Sequence, residues 1–201
     1  MGSYPAAHEW AYKSLSQARE FDLRRVVATS LLVLGWVALG LGDYRRAGEV
    51  LQQSVDEYRQ VKFLDELGWA LAALGQAKLA QGETGEGLAH VHESLQIGRK
   101  IGAAMTTNQA LGPCALWFGG QGDPARAVAL YTLACQHPGL ANSRWFDDVY
   151  GNPIAALSEQ LPAQVVAAAQ AGGRSLDLWQ TAAELQEELT LWLESTIPAY
   201  V

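Results

Sequence analysis

The chain has 201 residues, of which 49% are hydrophobic, 17% charged and 9% aromatic, the composition of a folded globular protein and not of a disordered or fibrous one. Its formal charge of -7 is uneven: +1 over residues 1–62, -2 over 63–141 and -6 over 142–201. With four lysines and arginines scattered in pairs at most, the chain lacks the basic face that phosphate contacts require, which argues against direct nucleic-acid binding.

In chain order, the first predicted element is a helix over 4–21, with Ala7, Trp10, Ala11, Leu15 and Ala18 on one side. An almost uncharged stretch follows. Residues 26–42 carry no charge for 17 positions, and 101–122 none for 22, which approaches the length of a membrane span. Thr106, Thr107, Asn108, Gln109 and Gln121 make the second stretch too polar for lipid, and both stretches recur at one place in a repeat, so no membrane association is expected.

The repeat has a period of 40 residues. Gly42-Asp43, Gly82-Glu83 and Gly122-Asp123 mark it, with Leu34-Gly35, Leu74-Gly75 and Cys114-Ala115 upstream and Ala47, Gly87 and Ala127 downstream. Each unit reads as two helices. The first ends at a Gly able to adopt the left-handed conformation, and the acid after it favours the start of the second. Asp43 to Gln60 illustrates that second helix, with Ala47, Val50, Leu51, Ser54, Val55 and Tyr58 at buried spacing. The small residues at 35, 75, 115, 47, 87 and 127 let paired helices approach closely.

The units predicted are a half repeat at 4–21, full repeats at 24–60, 64–101 and 104–137, and a degenerate repeat with a capping helix over 142–201, all within a single domain, 1–201. In the last part Gly151-Asn152-Pro153 interrupts a helix and Pro162 stands where a Gly is expected. A final helix near 175–195 places Leu178, Ala182, Leu185, Leu189 and Trp192 in a stripe suited to closing the array. A chain that starts halfway through a repeat is expected to be part of a larger protein.

This pattern resembles the tetratricopeptide repeat family, with Leu34-Gly35, Gly42-Asp43 and Ala47 as its best-kept copy. The unit is longer than that family's usual length of about 34 residues, Gly87 replaces Ala, and Cys114-Ala115 replaces Leu-Gly. The longer unit resembles the repeats in the sensor arms of large bacterial ATPase-containing transcriptional regulators, and the run 141–149, Gly151 to Ile154 and Gly172 to Leu176 are similar to their tails. The resemblance implies an all-α, right-handed solenoid of TPR-like helical hairpins. It also implies a non-enzymatic protein-interaction or sensor module. The alternative is a self-contained peptide or small-molecule receptor using the concave groove.

The groove positions implied by the resemblance include Trp36, Leu39, Trp69, Gln76, Gln109 and Leu116. They are apolar with a few amides and lack a basic clamp for a carboxylate. The tryptophans there serve either core or groove, whereas Trp179 and Trp192 read as core. Arg144 and Trp145 form either a structural cap, with Arg144 paired to an acid and Trp145 plugging the end, or a partner contact.

No catalytic, cofactor or metal site is expected. There is no GxxxxGK[ST] loop, and Gly119-Gly120-Gln121-Gly122 follows a helix and not a strand. Cys114 and Cys135 have no metal spacing and read as buried, Glu86, His90 and Glu93 as an exposed polar face. Without a secretory signal pattern the expected setting is cytoplasmic. The expected partner is a protein or peptide, with a homodimer through the open apolar face of helix 4–21.

Overall fold

The computed structural model describes residues 4–196 of the expected 1–201 unit; residues 1–3 and 197–201 lie outside the described residues. Among the described residues there is no strand. The helices are α1 (Tyr4–Glu20), α2 (Arg24–Gly40), α3 (Tyr44–Val61), α4 (Leu64–Ala80), α5 (Thr84–Ile101), α6 (Ala104–Gly120) and α7 (Pro124–Ala134). Each packs on the next, and α4 also touches α2 and α6.

Glycine closes α2, α4 and α6 through the turns that follow. Gly42, Gly82 and Gly122 have φ of 75°, 82° and 90°, the left-handed region that a side chain disfavours. The acid after each turn acts in two ways. Asp43 and Asp123 accept hydrogen bonds from the backbone N–H of Arg46 and Arg126, at 3.1 and 3.0 Å, and so cap α3 and α7. Glu83 makes no cap bond and is instead bonded by Lys78 at 2.5 Å.

The small residues sit where the paired helices are closest. A side chain on Gly35 would run into Leu51, and a Cβ on Gly87 would lie 2.9 Å from the backbone nitrogen of Leu79 and 3.0 Å from the carbonyl oxygen of Gly75. Buried serines tie successive helices at equivalent places. Ser54 donates to the Ala28 carbonyl at 2.8 Å, and Ser94, forty residues on, donates to the Gly68 carbonyl at the same distance. All six positions expected to be buried on α3 are buried.

A second set of left-handed residues separates the hairpins: Asp22, Lys62 and Gly102, with φ of 51°, 57° and 66°. Only the third is glycine. Left-handed backbone costs an ordinary L-residue about 1 kcal/mol, so Lys62→Gly is expected to stabilise the protein by about 0.5–1 kcal/mol and raise Tm by roughly 1–4 °C. Thermal denaturation followed by circular dichroism reads this.

After α7 the pattern breaks into α8 (Pro138–Ala141), α9 (Arg144–Phe146), a π turn (Asp147–Gly151), α10 (Asn152–Ser158), α11 (Ala163–Ser175) and α12 (Leu178–Thr196). Pro153 has no N–H and crowds the preceding turn, and the backbone widens just before it, with Asn152 N–H reaching back to the Asp147 carbonyl. α11 packs on α7, and α12 folds back onto α5 and α6.

Ala182, Leu185 and Leu189 of the expected stripe are buried, with Leu178 and Trp192 half-buried beside them. Polar ties hold α12 down. His92 and Thr190 are 3.0 Å apart, Arg99 bonds Gln186 at 2.5 Å, and Arg126 grips Glu188 through both guanidinium nitrogens at 2.9 and 2.5 Å. Trp179 differs from its expected core position: it lies on the outer side of the first turn of α12 and is 39% exposed.

Candidate functional site

Trp36 and Trp69 occupy corresponding faces of α2 and α4, with ring centroids 6.4 Å apart and planes 27° from parallel. Trp145, 109 residues after Trp36, closes over them. Its ring centroid is 5.2 Å from that of Trp36, and its indole N–H donates to the Trp36 carbonyl at 2.7 Å. Tyr150 meets Trp145 edge-on at 5.9 Å and lies against Gly112, where a Cβ would come within 2.9 Å of the phenol ring. Gly112 is therefore a socket for Tyr150.

The bend before Pro153 that carries Trp145 and Tyr150 inward is secured from α1. Tyr4 donates its hydroxyl to Asp148 at 2.7 Å, and its ring covers Gly40 at the end of α2. Burial, reinforced by the bond to Asp148, pushes the Tyr4 hydroxyl up to about 12. Arg144 stays at the surface with its Nε 3.7 Å from Asp148, an exposed pair of small energetic weight. Trp145 thus packs on Trp36 of α2, and Arg144 pairs with an acid.

The expected groove residues divide into three groups. Trp36, Trp69 and Trp145 come together. Leu39 and Gln109 are buried within the helical layers. Gln76 and Leu116 line a separate pocket of about 280 Å³ between the C-terminal ends of α4 and α6, with Leu79, Thr84, Trp117 and Gln121. Thr84 and Gln121 were not expected there, since both lie in a turn region that marks a helix boundary and carries no groove signal. Three polar atoms on α2, α4 and α6 are buried without a hydrogen-bond partner among the described residues: Trp36 Nε1, Gln76 Oε1 and Trp117 Nε1.

A second candidate lies at the other end of the molecule. Ala7, Trp10, Ala11 and Ser14 stand forty residues before Ala47, Val50, Leu51 and Ser54, which α3 buries under α2. On α1 the expected open face is largely covered: Ala11, Leu15 and Ala18 are buried in a cluster with Val27 and Leu31 of α2, Ala7 and Ser14 are half-buried, and Trp10 is the residue of that face left to water. Trp10 is 73% exposed and lines an almost wholly apolar pocket of about 360 Å³ with Val26 and Val33. Phe21, just after α1, is 69% exposed, and Tyr12 lies on the other side of the helix against Leu34, Val37 and Leu41.

Comparison of the chain with protein-family models, curated proteins and solved structures finds no match. The geometry alone therefore carries the functional reading.

The side chains with reactive or ligating chemistry are engaged elsewhere. Complete burial pushes the Cys114 thiol up to about 12, so it is a protonated core residue at neutral pH. Cys135 is half-buried, and burial raises its thiol as well. Glu86 is paired to Lys78 at 2.9 Å and Glu93 to Arg59 at 2.7 Å. Among the described residues no three His, Cys, Asp or Glu side chains gather into a metal-binding group, and no helix is long and apolar enough to cross a membrane.

Proposed function

We propose that the protein is a non-enzymatic interaction or sensor module, built as a right-handed TPR-like solenoid with a 40-residue unit. The positions of Gly42, Gly82 and Gly122 and the starts of α2, α4 and α6 at residues 24, 64 and 104 support that architecture. As the family resemblance implies, such a module serves a larger bacterial signalling or transcription-regulating protein in the cytoplasm.

The exposed Trp10 of α1 carries the reading. Its counterpart on α3, Val50, is buried, whereas Trp10 stands in water beside Val26 and Val33, and an exposed apolar patch is a mark of an interaction surface. Its occupant is a second copy of the chain. Trp10 stands at the mouth of the pocket it lines, so two copies related by a two-fold axis can each place Trp10 against the other's Val26 and Val33. Charge agrees with this choice, since residues 1–62 carry only +1 whereas 142–201 carry -6 and repel their own kind.

Light scattering is expected to give twice the chain mass at high micromolar concentration, and Trp10→Glu is expected to give a monomer with unchanged helical circular dichroism. A wild-type monomer at that concentration, or a dimer that survives Trp10→Glu, contradicts the assignment.

The second reading, a receptor for a peptide or small molecule on α2, α4 and α6, is favoured by the pocket of about 280 Å³ that Gln76, Leu116 and Trp117 line. The two readings concern different surfaces.

A further inference from the structure

We propose that the groove between α1 and α3, floored by α2, receives an amphipathic helix of another protein that carries an acid toward Arg46. The inference goes beyond the dimer reading and uses the side of α1 that bears Tyr12, not the side that bears Trp10.

The chain itself shows what such a groove holds. α12 lies against α5 and α6. Arg99 meets Gln186, and His92, two turns earlier on α5, meets Thr190, so α12 runs antiparallel to α5. Arg126 of α7 grips Glu188, and Trp192 meets the Trp117 ring edge-on at 6.0 Å. The helix therefore fills the space between α5 and α7 over α6. Eighty residues earlier, at the same places in the repeat as Arg99, His92, Arg126 and Trp117, stand Arg19, Tyr12, Arg46 and Val37. These four line two cavities of about 280 and 330 Å³ that lie along the groove between α1 and α3. Its floor is apolar, with Val27, Leu31, Leu34 and Leu41 at helical spacing on α2. Leu41 and Tyr12 are 65% and 63% exposed at one end of it.

The groove between α3 and α5 shows why the first one is free. There Arg59 reaches Glu93 at 2.7 Å and straps the two helices together. Arg19 stands in the place of Arg59, but Gln53 takes the place of Glu93 and has no charge to offer. In the last groove Arg99 holds the same place and bonds the docked α12 instead. The arginine of each repeat serves as a strap or as a contact for a docked helix, and without a strap Arg19 is placed for the second role.

Charge selects the occupant. Arg46 holds the place of the arginine that grips Glu188, and its side chain is 60% exposed with Glu49 at 3.4 Å. Asp43 beside it is engaged as the cap of α3, as Asp123 is on α7. An acid on an incoming helix therefore pairs with Arg46. At the other end Asp56 and Glu57 line the groove where α7 has Gln136 and His137, which favours a base at the start of that helix. The chain's own α12 is engaged between α5 and α7, so the occupant comes from another protein and docks by the helix-in-groove mode.

The test titrates the whole chain against a fluorescein-labelled peptide of the sequence Arg174 to Thr196, which has the apolar stripe, Glu188 and a base at its start. Saturable binding by anisotropy is expected. Arg46→Glu and Tyr12→Glu, both at exposed side chains, are expected to weaken it roughly tenfold or more with unchanged helical circular dichroism. A peptide carrying Glu188→Lys is expected to bind the wild type as weakly and to regain affinity for Arg46→Glu. No saturable binding, unchanged affinity in Arg46→Glu and Tyr12→Glu, or equal binding of a scrambled peptide overturns the proposal. Loss of binding in Arg126→Glu with none in Arg46→Glu places the peptide in the groove of α12 and overturns it as well. If Arg46→Glu alone converts a dimer of the chain to monomer, the groove belongs to a second copy and the assignment to another protein is wrong.

Discussion

Gly87→Leu is expected to destabilise the protein by roughly 3 kcal/mol or more and to lower Tm by about 10 °C. Any Cβ at this position meets the Leu79 backbone nitrogen at 2.9 Å and the Gly75 carbonyl oxygen at 3.0 Å. Those atoms belong to the α4 backbone and cannot turn aside as a side chain could. Relief requires α4 and α5 to separate, which opens the layer containing Leu71, Leu74, Leu88 and Val91, all fully buried. Gly85 supplies the control two residues away on the same helix. A Cβ there has no neighbour within 4 Å, so Gly85→Ala is expected to leave stability unchanged or raise it by a few tenths of a kcal/mol. Urea denaturation of the two variants separates a packing effect from one of helix propensity. Similar losses in both would contradict the close-approach explanation.

Trp145→Ala is expected to cost about 3 kcal/mol, the lower end of the range for removing a large aromatic, because Trp145 is only partly buried. The loss combines ring packing on Trp36 with the hydrogen bond to the Trp36 carbonyl. Trp145→Phe keeps most of the packing and discards the N–H, so about 1 kcal/mol is expected for it. The consequence reaches the tail as a whole. Trp145 and Tyr4 join the bend before Pro153 to α2 and α1, and without Trp145 the segment 144–151 loses its aromatic anchor on α2 while keeping its ties to α1, α6 and α7. Hydrogen exchange in that segment should rise in Trp145→Ala beyond what the global loss of stability produces. Equal exchange at equal stability would show that the aromatic stack does not anchor the tail.

Much of the helical framework was legible in the sequence because its constraints are local. A turn needing positive φ selects Gly, so Gly42, Gly82 and Gly122 announce where α2, α4 and α6 end. A helix pair in backbone contact selects small residues, so Gly75 and Gly87 announce which faces meet. The turns between hairpins were not visible for the same physical reason in reverse: Asp22 and Lys62 accept a strained conformation that nothing in their chemistry advertises. The tail was harder still. Trp145 meets Trp36 across 109 residues, and no periodicity links the two. Its inward course depends on the π turn, whose cause, Pro153, was seen only as an interruption. Trp179 was assigned to the core by residue type, yet position on the first turn of α12 decides its exposure.

The candidate sites followed the same rule. The exposure of Trp10 could be anticipated from the register that sets it against Val50 of α3, but Ala11, Leu15 and Ala18, expected on the same open face, are buried because α2 packs over them. The pocket lined by Gln76 and Trp117 could be anticipated only in part, since Thr84 and Gln121 enter it from a turn region that carries no groove signal.

The claim that α1 is the partner surface is tested most directly by hydrogen–deuterium exchange at low and high protein concentration. The account predicts that protection rises with concentration in peptides covering residues 4–33 and stays constant over 142–196, and that Trp10→Glu abolishes the rise. Protection that rises over the acidic tail instead, or that does not depend on concentration anywhere in 4–33, would contradict it.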